Sequence, residues 1–157
     1  MKKVFKLVAA TLVLGGCATG YQKDSFSGGY EETWLARDSV RIAYRGNGFT
    51  KSQRVVDFSI LRVAEIGMQK GYQYFMLVSE GTDSTTVKTP TSYQANTFGN
   101  QTTITQTGGA FIKKPSATNQ AIFFNERPQI VGSVVYESAF VCNSIKDKYD
   151  LKEVKCN

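Results

Sequence analysis

The chain has 157 residues, the size of one domain, and 41% hydrophobic with 20% charged residues is a globular composition that excludes wholesale disorder and fibrous repeats. Histidine is absent, which removes every Ser-His, Cys-His and His-metal mechanism. The net charge of +6 is partly carried by the N-terminus, so it argues only weakly for nucleic acid.

Met1 to Lys6 holds three lysines, Leu7 to Leu14 is a short apolar run, and Gly15, Gly16 and Cys17 follow. The run is too short to span a bilayer, which takes roughly 20 residues. This layout predicts a bacterial secretory signal over 1–16. Leu14-Gly15-Gly16-Cys17 resembles a lipobox, which implies cleavage before Cys17, diacylation of its thiol and acylation of the new N-terminus. Ala18 is not the Asp that usually retains such proteins at the inner membrane, so the resemblance implies the outer membrane. The acyl chains, at about 0.8 kcal/mol per buried methylene, make the anchor effectively permanent. Removing sixteen of 157 residues leaves 141, and without Lys2, Lys3 and Lys6 the net charge falls from +6 to +3.

Residues 17–29 are small and polar and read as a flexible, lipid-proximal tether. The domain is expected over 30–157. Tyr30–Leu35 predicts a strand, with a turn near Arg37-Asp38. Ser39–Arg45 alternates, with Val40, Ile42 and Tyr44 on one face, and hairpins with the first strand. Thr50 and Gln53 have capping-box spacing ahead of a helix that runs to Lys70 and stops at Gly71. Val56, Ile60, Leu61, Val63, Ala64, Gly67 and Met68 share one face; Phe58 falls on the polar side and calls for a cover. Tyr72–Glu80 predicts a central strand. Gln120–Asn125 and Ile130–Ser138 are further strands, split by a turn at Arg127-Pro128. Phe140, Val141, Ile145 and Tyr149 recur at helical spacing and predict a short second helix.

Residues 82–118 interrupt this pattern as a Thr-rich insertion with 11 threonines, and no acid occurs from Ser84 to Asn125. A projecting hairpin and a disordered loop both fit that composition. Lys88, Lys113 and Lys114 make it weakly cationic, suited to an anionic glycan or an acidic partner.

Gly29-Tyr30-Glu31-Glu32, Arg45-Gly46-Asn47-Gly48-Phe49-Thr50, Leu61-Arg62-Val63-Ala64-Glu65 and Gly71-Tyr72-Gln73-Tyr74-Phe75 together resemble a family of small, uncharacterised proteobacterial lipoproteins. Lys114–Asn119 and Phe140–Tyr149 are similar too. The resemblance spans nearly the whole mature chain and implies a shared fold and an envelope location. It carries no activity and no functional residues.

Candidate chemistry is sparse. Arg62 and Glu65 read as an exposed i,i+3 ion pair, with a charged cleft as the rival. Gly46-Asn47-Gly48 reads as a source of positive φ for a strand-to-helix turn, with an anion-binding loop as the rival. Glu31, Glu32, Asp38, Asp57 and Glu80 read as scattered solvated carboxylates. Cys142 and Cys156 are expected to pair in an oxidising compartment, with free or reactive thiols as the rivals. Tyr44, Tyr72, Tyr74, Phe75, Phe123, Phe124, Tyr136 and Phe140 read as core and cross-strand aromatics, or as an exposed row for a partner.

The sequence thus predicts an α+β domain: an antiparallel or mixed sheet of about five strands, one long amphipathic helix across a face and a short C-terminal helix. The expected function is a non-catalytic, lipid-anchored envelope protein, a structural or protein-interaction module. The alternative is a binding module for an envelope glycan, peptide or small molecule. No catalytic residue, cofactor, metal or nucleic-acid partner is expected. The expected location is the outer membrane, facing the periplasm.

Overall fold

The computed structural model describes residues 17–99 and 101–156. The expected signal at 1–16 lies outside the described residues.

The architecture is α+β. Strands β1 (Gly29–Ala36) and β2 (Ser39–Arg45) form a hairpin, followed by helix α1 (Ser52–Lys70) and strand β3 (Tyr74–Lys88). Then come β4 (Thr91–Phe98), β5 (Gln101–Gly108), β6 (Phe111–Phe124), β7 (Val135–Glu137) and helix α2 (Ser138–Lys148). The main sheet is antiparallel, in the order β1-β2-β6-β3-β7, and β4 pairs with β5. The centre of the sheet is therefore β6, flanked by β2 and β3. Of the expected strand at 130–138, three residues form β7, Ser138 begins α2, and the rest is turn and loop.

The alternation in β2 sets the core. Val40, Ile42 and Tyr44 are fully buried, and across the register Ala121 and Ala117 lie beside Val40 and Tyr44. Paired residues of an antiparallel ladder point to the same face, so these side chains form one layer with Phe123 and Phe75. The helices cover that layer.

Helix α1 departs from a simple two-faced pattern. Ten of its residues are buried, including Val55, Phe58, Leu61, Ala64 and Ile66, and they point around most of its circumference. The expected face residues Val56 and Ile60 are only half-buried. The reason is that α1 is enclosed on several sides: by the sheet, by α2 and by the N-terminal segment. Phe58, 1% exposed, is packed by Tyr21, Tyr44 and Tyr149, with ring centroids 5.5, 5.4 and 4.9 Å away. The capping box does not form. Lys51 is the N-cap residue, the Thr50 hydroxyl serves a loop, and the Gln53 amide donates to Asp57.

A disulfide joins Cys142 to Cys156 with the Cα atoms 5.7 Å apart, and it holds the C-terminal tail so that Val154 enters the core. Ser59 and Asn119 form a buried polar pin between helix and sheet, the Asn119 amide donating to the hydroxyl at 2.6 Å.

Candidate functional site

Two features stand apart from the core. One is a long arm made by the outer halves of β3 and β6 and by β4 and β5. The other is the loop between β2 and α1, where the N-terminal segment docks.

The arm is one ribbon. Partner numbers sum to 199 at Ser79↔Gln120, at Lys88↔Phe111, at Thr91↔Gly108 and at Phe98↔Gln101, so a single register runs from the sheet to the tip. A bulge at Val78, between Leu77 and Ser79, separates this register from that of the inner sheet. At the joint, the Thr89 amide donates to the Ala110 carbonyl at 2.9 Å. Pro90 cannot donate, and Gly108 has φ 88° and would drive a Cβ to 1.9 Å from the Pro90 carbonyl oxygen. Every residue of β4 and β5 is exposed. Thr85 to Phe98 spans about 45 Å at ~3.3 Å per residue. Of the two forms that fit the Thr-rich composition, the structure shows the hairpin. The insertion is shorter than 82–118, because Pro115 and Ala117 are buried on the core stretch of β6.

The two faces of the outer ribbon differ. Tyr93, Ala95 and Thr97 lie beside Gln106, Ile104 and Thr102 on one face; Tyr93 and Ile104 are each 68% exposed there. Ser92, Gln94 and Asn96 lie beside Thr107, Thr105 and Thr103 on the other. Between Thr89 and Ile112 there is no Asp, Glu, Lys or Arg.

The arm is rooted against the β2–α1 loop. The Gly46 amide donates to the Pro115 carbonyl at 2.8 Å, and a Cβ on Gly48 would meet Ile112 at 2.3 Å. Gly46 likewise has Thr50 and Val55 within 3 Å of a would-be Cβ. Neither glycine has positive φ. Close approach, not the expected left-handed conformation, is what these positions require. Asn47 is the hub: its side-chain amide donates to the Cys17 carbonyl at 2.9 Å, and its carboxamide oxygen accepts from the Phe49 amide and the Thr50 hydroxyl.

Residues 17–29 are therefore not a flexible tether. Thr19 is buried, its amide donating to the Thr50 hydroxyl at 2.9 Å. Gly20 accepts from the Tyr44 hydroxyl at 2.6 Å, Tyr21 donates to Glu65 at 2.5 Å, and Gln22 and Tyr30 are joined by a backbone bond. Small polar residues resemble a linker in composition. Here they satisfy buried donors and acceptors that the body leaves open. Cys17 and Gly20 are exposed at the surface.

The carboxylates divide. Glu31, Asp38 and Glu80 are exposed, as solvated charges would be. Asp57 is buried: it accepts from Gln53 at 2.8 Å, Lys148 at 2.6 Å and Tyr149 at 2.7 Å. Burial pushes its pKa up, but these donors outweigh burial and hold it below the usual carboxylate value. Arg62 and Glu65 are not an exposed pair. Their side chains are 13% and 11% exposed, bonded at 2.5 Å, with Glu32 on the same guanidinium and the Tyr30 ring 4.5 Å from it. Burial alone would lower the Arg62 pKa; its hydrogen bond to Glu65 and the other partners raise it instead. Burial is also the first cause of the raised Tyr21 pKa, followed by the bond to Glu65. These oxygens and nitrogens are bonded to each other, so the clusters hold the segment and helices together.

Most of the expected aromatics are core. Tyr44, Phe75 and Phe123 are buried, Tyr72 stacks on Phe123 at 5.2 Å and Tyr136 stacks on Phe75 at 5.2 Å, while Tyr74 and Phe124 are half-buried. Phe140 is exposed. Other aromatic residues as open to solvent lie at Phe26, at Phe49 and on the arm at Tyr93, Phe98 and Phe111. Their sequence signal was an aromatic placed in a segment that cannot build a core.

Among the described residues no cluster of three or more His, Cys, Asp or Glu could hold a metal, and no helix is long and apolar enough to cross a membrane. Compared with protein-family models, curated proteins and solved structures, the chain matches none.

Proposed function

We propose that the protein is a non-catalytic, lipid-anchored envelope protein whose arm is its contact element. The carrying observation is the contrast between a body whose buried charged groups are paired with each other and an exposed arm, uncharged from Thr89 to Ile112, that adds no buried residue to the core. A ribbon without apolar burial gains little for the fold, so its presence is best explained by what it touches.

The face around the anchor supports the same reading. Ala18, Phe49, Lys51, Arg54 and Lys148 line one surface cleft, and Phe49 is 69% exposed. An acyl chain on Cys17 would press this face to the bilayer, because the docked segment leaves no slack between lipid and domain. Lysine and arginine beside an exposed phenylalanine suit anionic headgroups. Outer-membrane placement, periplasmic exposure and the family resemblance belong to this same proposal.

The binding-module alternative has less support. The apolar cleft lined by Met68, Tyr72, Tyr74, Glu137 and Ala139 has a volume of about 220 Å³. That is below the range of roughly 300–1,000 Å³ usual for small-molecule sites; the cleft lined by Lys23, Tyr30, Glu32, Trp34 and Arg62, at about 490 Å³, lies within it, but Glu32 and Arg62 there are paired with each other.

The test is replacement of Thr85–Lys114 by a short Gly-Ser linker, with photo-crosslinkers placed in the arm and on the body of the intact protein. The expected result is a folded, membrane-bound variant that has lost its envelope crosslinks. Crosslinks that persist without the arm would refute its role. A Cys17→Ser protein that is still processed and membrane-bound would refute the anchor.

A further inference from the structure

We infer that the outer ribbon is a self-association element, and that two copies pair edge to edge through β5. This rests on the reading of the arm as a contact element and names its partner, a second copy of the chain.

The ribbon has two open edges. Among the described residues β4 is hydrogen-bonded as a strand only to β5, and β5 only to β4. Each therefore directs a row of backbone N–H and C=O groups outward, a template for another strand. Proteins that must stay monomeric blunt such edges with charge, proline or bulges. Here the blunting devices stop at the root. Asp83, Lys88, Lys113 and Lys114 flank the stem and Pro90 marks the joint, but no charge occurs from Thr89 to Ile112. The bulge lies further in, at Val78.

The choice of β5 follows from its residues. Thr102, Thr103, Ile104, Thr105 and Thr107 are β-branched, whereas β4 has Thr91 and Thr97. β-branched side chains favour the pleated, half-buried surface that pairing creates. The exposed face bearing Tyr93 and Ile104 would also be extended from two strands to four, which is where an isolated hairpin gains independent stability.

The choice of a second copy follows from the lack of charge. A neutral strand offers a foreign partner no electrostatic selection. It matches itself without repulsion, and threonine and glutamine side chains form ladders against their own kind. Antiparallel pairing of β5 with β5 is a two-fold, self-complementary contact that closes on itself.

The experiment uses the full mature chain in detergent, with sedimentation velocity over a concentration series. Three proteins are compared: the native chain, Thr105→Lys and Thr105→Val. The native chain and Thr105→Val should dimerise. Thr105→Lys, near the middle of β5, brings a like charge from each copy into the seam and should weaken the dimer at least tenfold, with the thermal midpoint of the body unchanged. A single cysteine at Thr105 should crosslink two copies, whereas one at Gln94, its partner on the far strand β4, should not. A native protein that stays monomeric to its solubility limit would overturn the inference. So would a dimer indifferent to both Thr105→Lys and loss of the arm. Arm-dependent binding of the monomer to lipid vesicles or to an anionic glycan would overturn it too, while leaving the contact role of the arm standing. Arm crosslinks to other proteins by a monomer would do the same.

Discussion

The body and the arm are built from one continuous pair of strands, yet they obey different rules. On the inner stretch of β6, Ala117, Asn119, Ala121 and Phe123 are buried and alternate with more open positions. On its outer stretch, Phe111 to Lys114 are all exposed. The same ladder therefore passes from a region stabilised by burial to one held by backbone bonds and side-chain propensity. The outer part, from Thr85 to Lys114, adds no buried residue to the core.

The largest effect should come from the body. Phe58→Ala removes the ring on which Tyr21, Tyr44 and Tyr149 converge, and should cost about 3–5 kcal/mol in urea unfolding. Tyr93→Ala on the arm should leave the midpoint where it is. Equal losses would erase the distinction between the two regions.

Cys142→Ser opens the loop closed by the disulfide, 14 residues apart in sequence. A loss of about 3 kcal/mol is expected for a loop of ~15 residues. Reductant should lower the native protein to the same stability and leave the variant unmoved.

Arg62→Ala leaves Glu32 and Glu65 facing each other without their shared cation. A cost of about 1–3 kcal/mol is expected. It should be accompanied by release of the N-terminal segment, seen as faster hydrogen exchange at Thr19 and Tyr30.

Asp57 gives the body a pH signature. Its folded pKa lies below the unfolded value of about 3.9, so its contribution is present above that pH and is lost as pH falls through the folded value. Asp57→Asn should be less stable than the native protein at neutral pH, and the gap should narrow at about pH 3. A gap that widens in acid would reverse the assigned sign.

The smallest effect is expected for the arm itself. Replacing Thr85–Lys114 by a short linker changes closure entropy by only about 0.6 kcal/mol per twofold change in loop length. Two to three halvings of loop length should shift the urea midpoint by less than about 2 kcal/mol equivalent, apart from the contact Ile112 makes with Gly48. A body that cannot fold without the arm would merge the two regions into one.

Local signals in the sequence were legible where local physics decides the outcome. The alternation of Val40, Ile42 and Tyr44 placed a strand and its buried face, and Gly71 marked the end of the helix. The Thr-rich stretch pointed to an excursion that could not join a core. Long-range satisfaction was not legible. Thr19 meeting Thr50, Tyr21 meeting Glu65 and Arg62 meeting Glu32 are separated by 30 residues or more, and none leaves a periodic trace. That is why a docked segment read as a tether, and why a helix enclosed on several sides read as having one apolar and one polar face. Gly46 and Gly48 read as turn formers because only the folded neighbours, Thr50, Val55 and Ile112, show that space is what they supply.

The unbroken register gives the arm a unit of length. Deleting a residue from one strand would turn every side chain beyond it on that strand to the opposite face and misalign the joint at Pro90 and Gly108. Deleting one from each strand would restore the pairing but still turn the tip over. Two from each strand keep both pairing and face, so the arm can be shortened or extended in steps of four residues, each worth about 7 Å of reach. Its span is thus quantised like a ruler, and variants cut to successive marks would read how far from the body its contact lies.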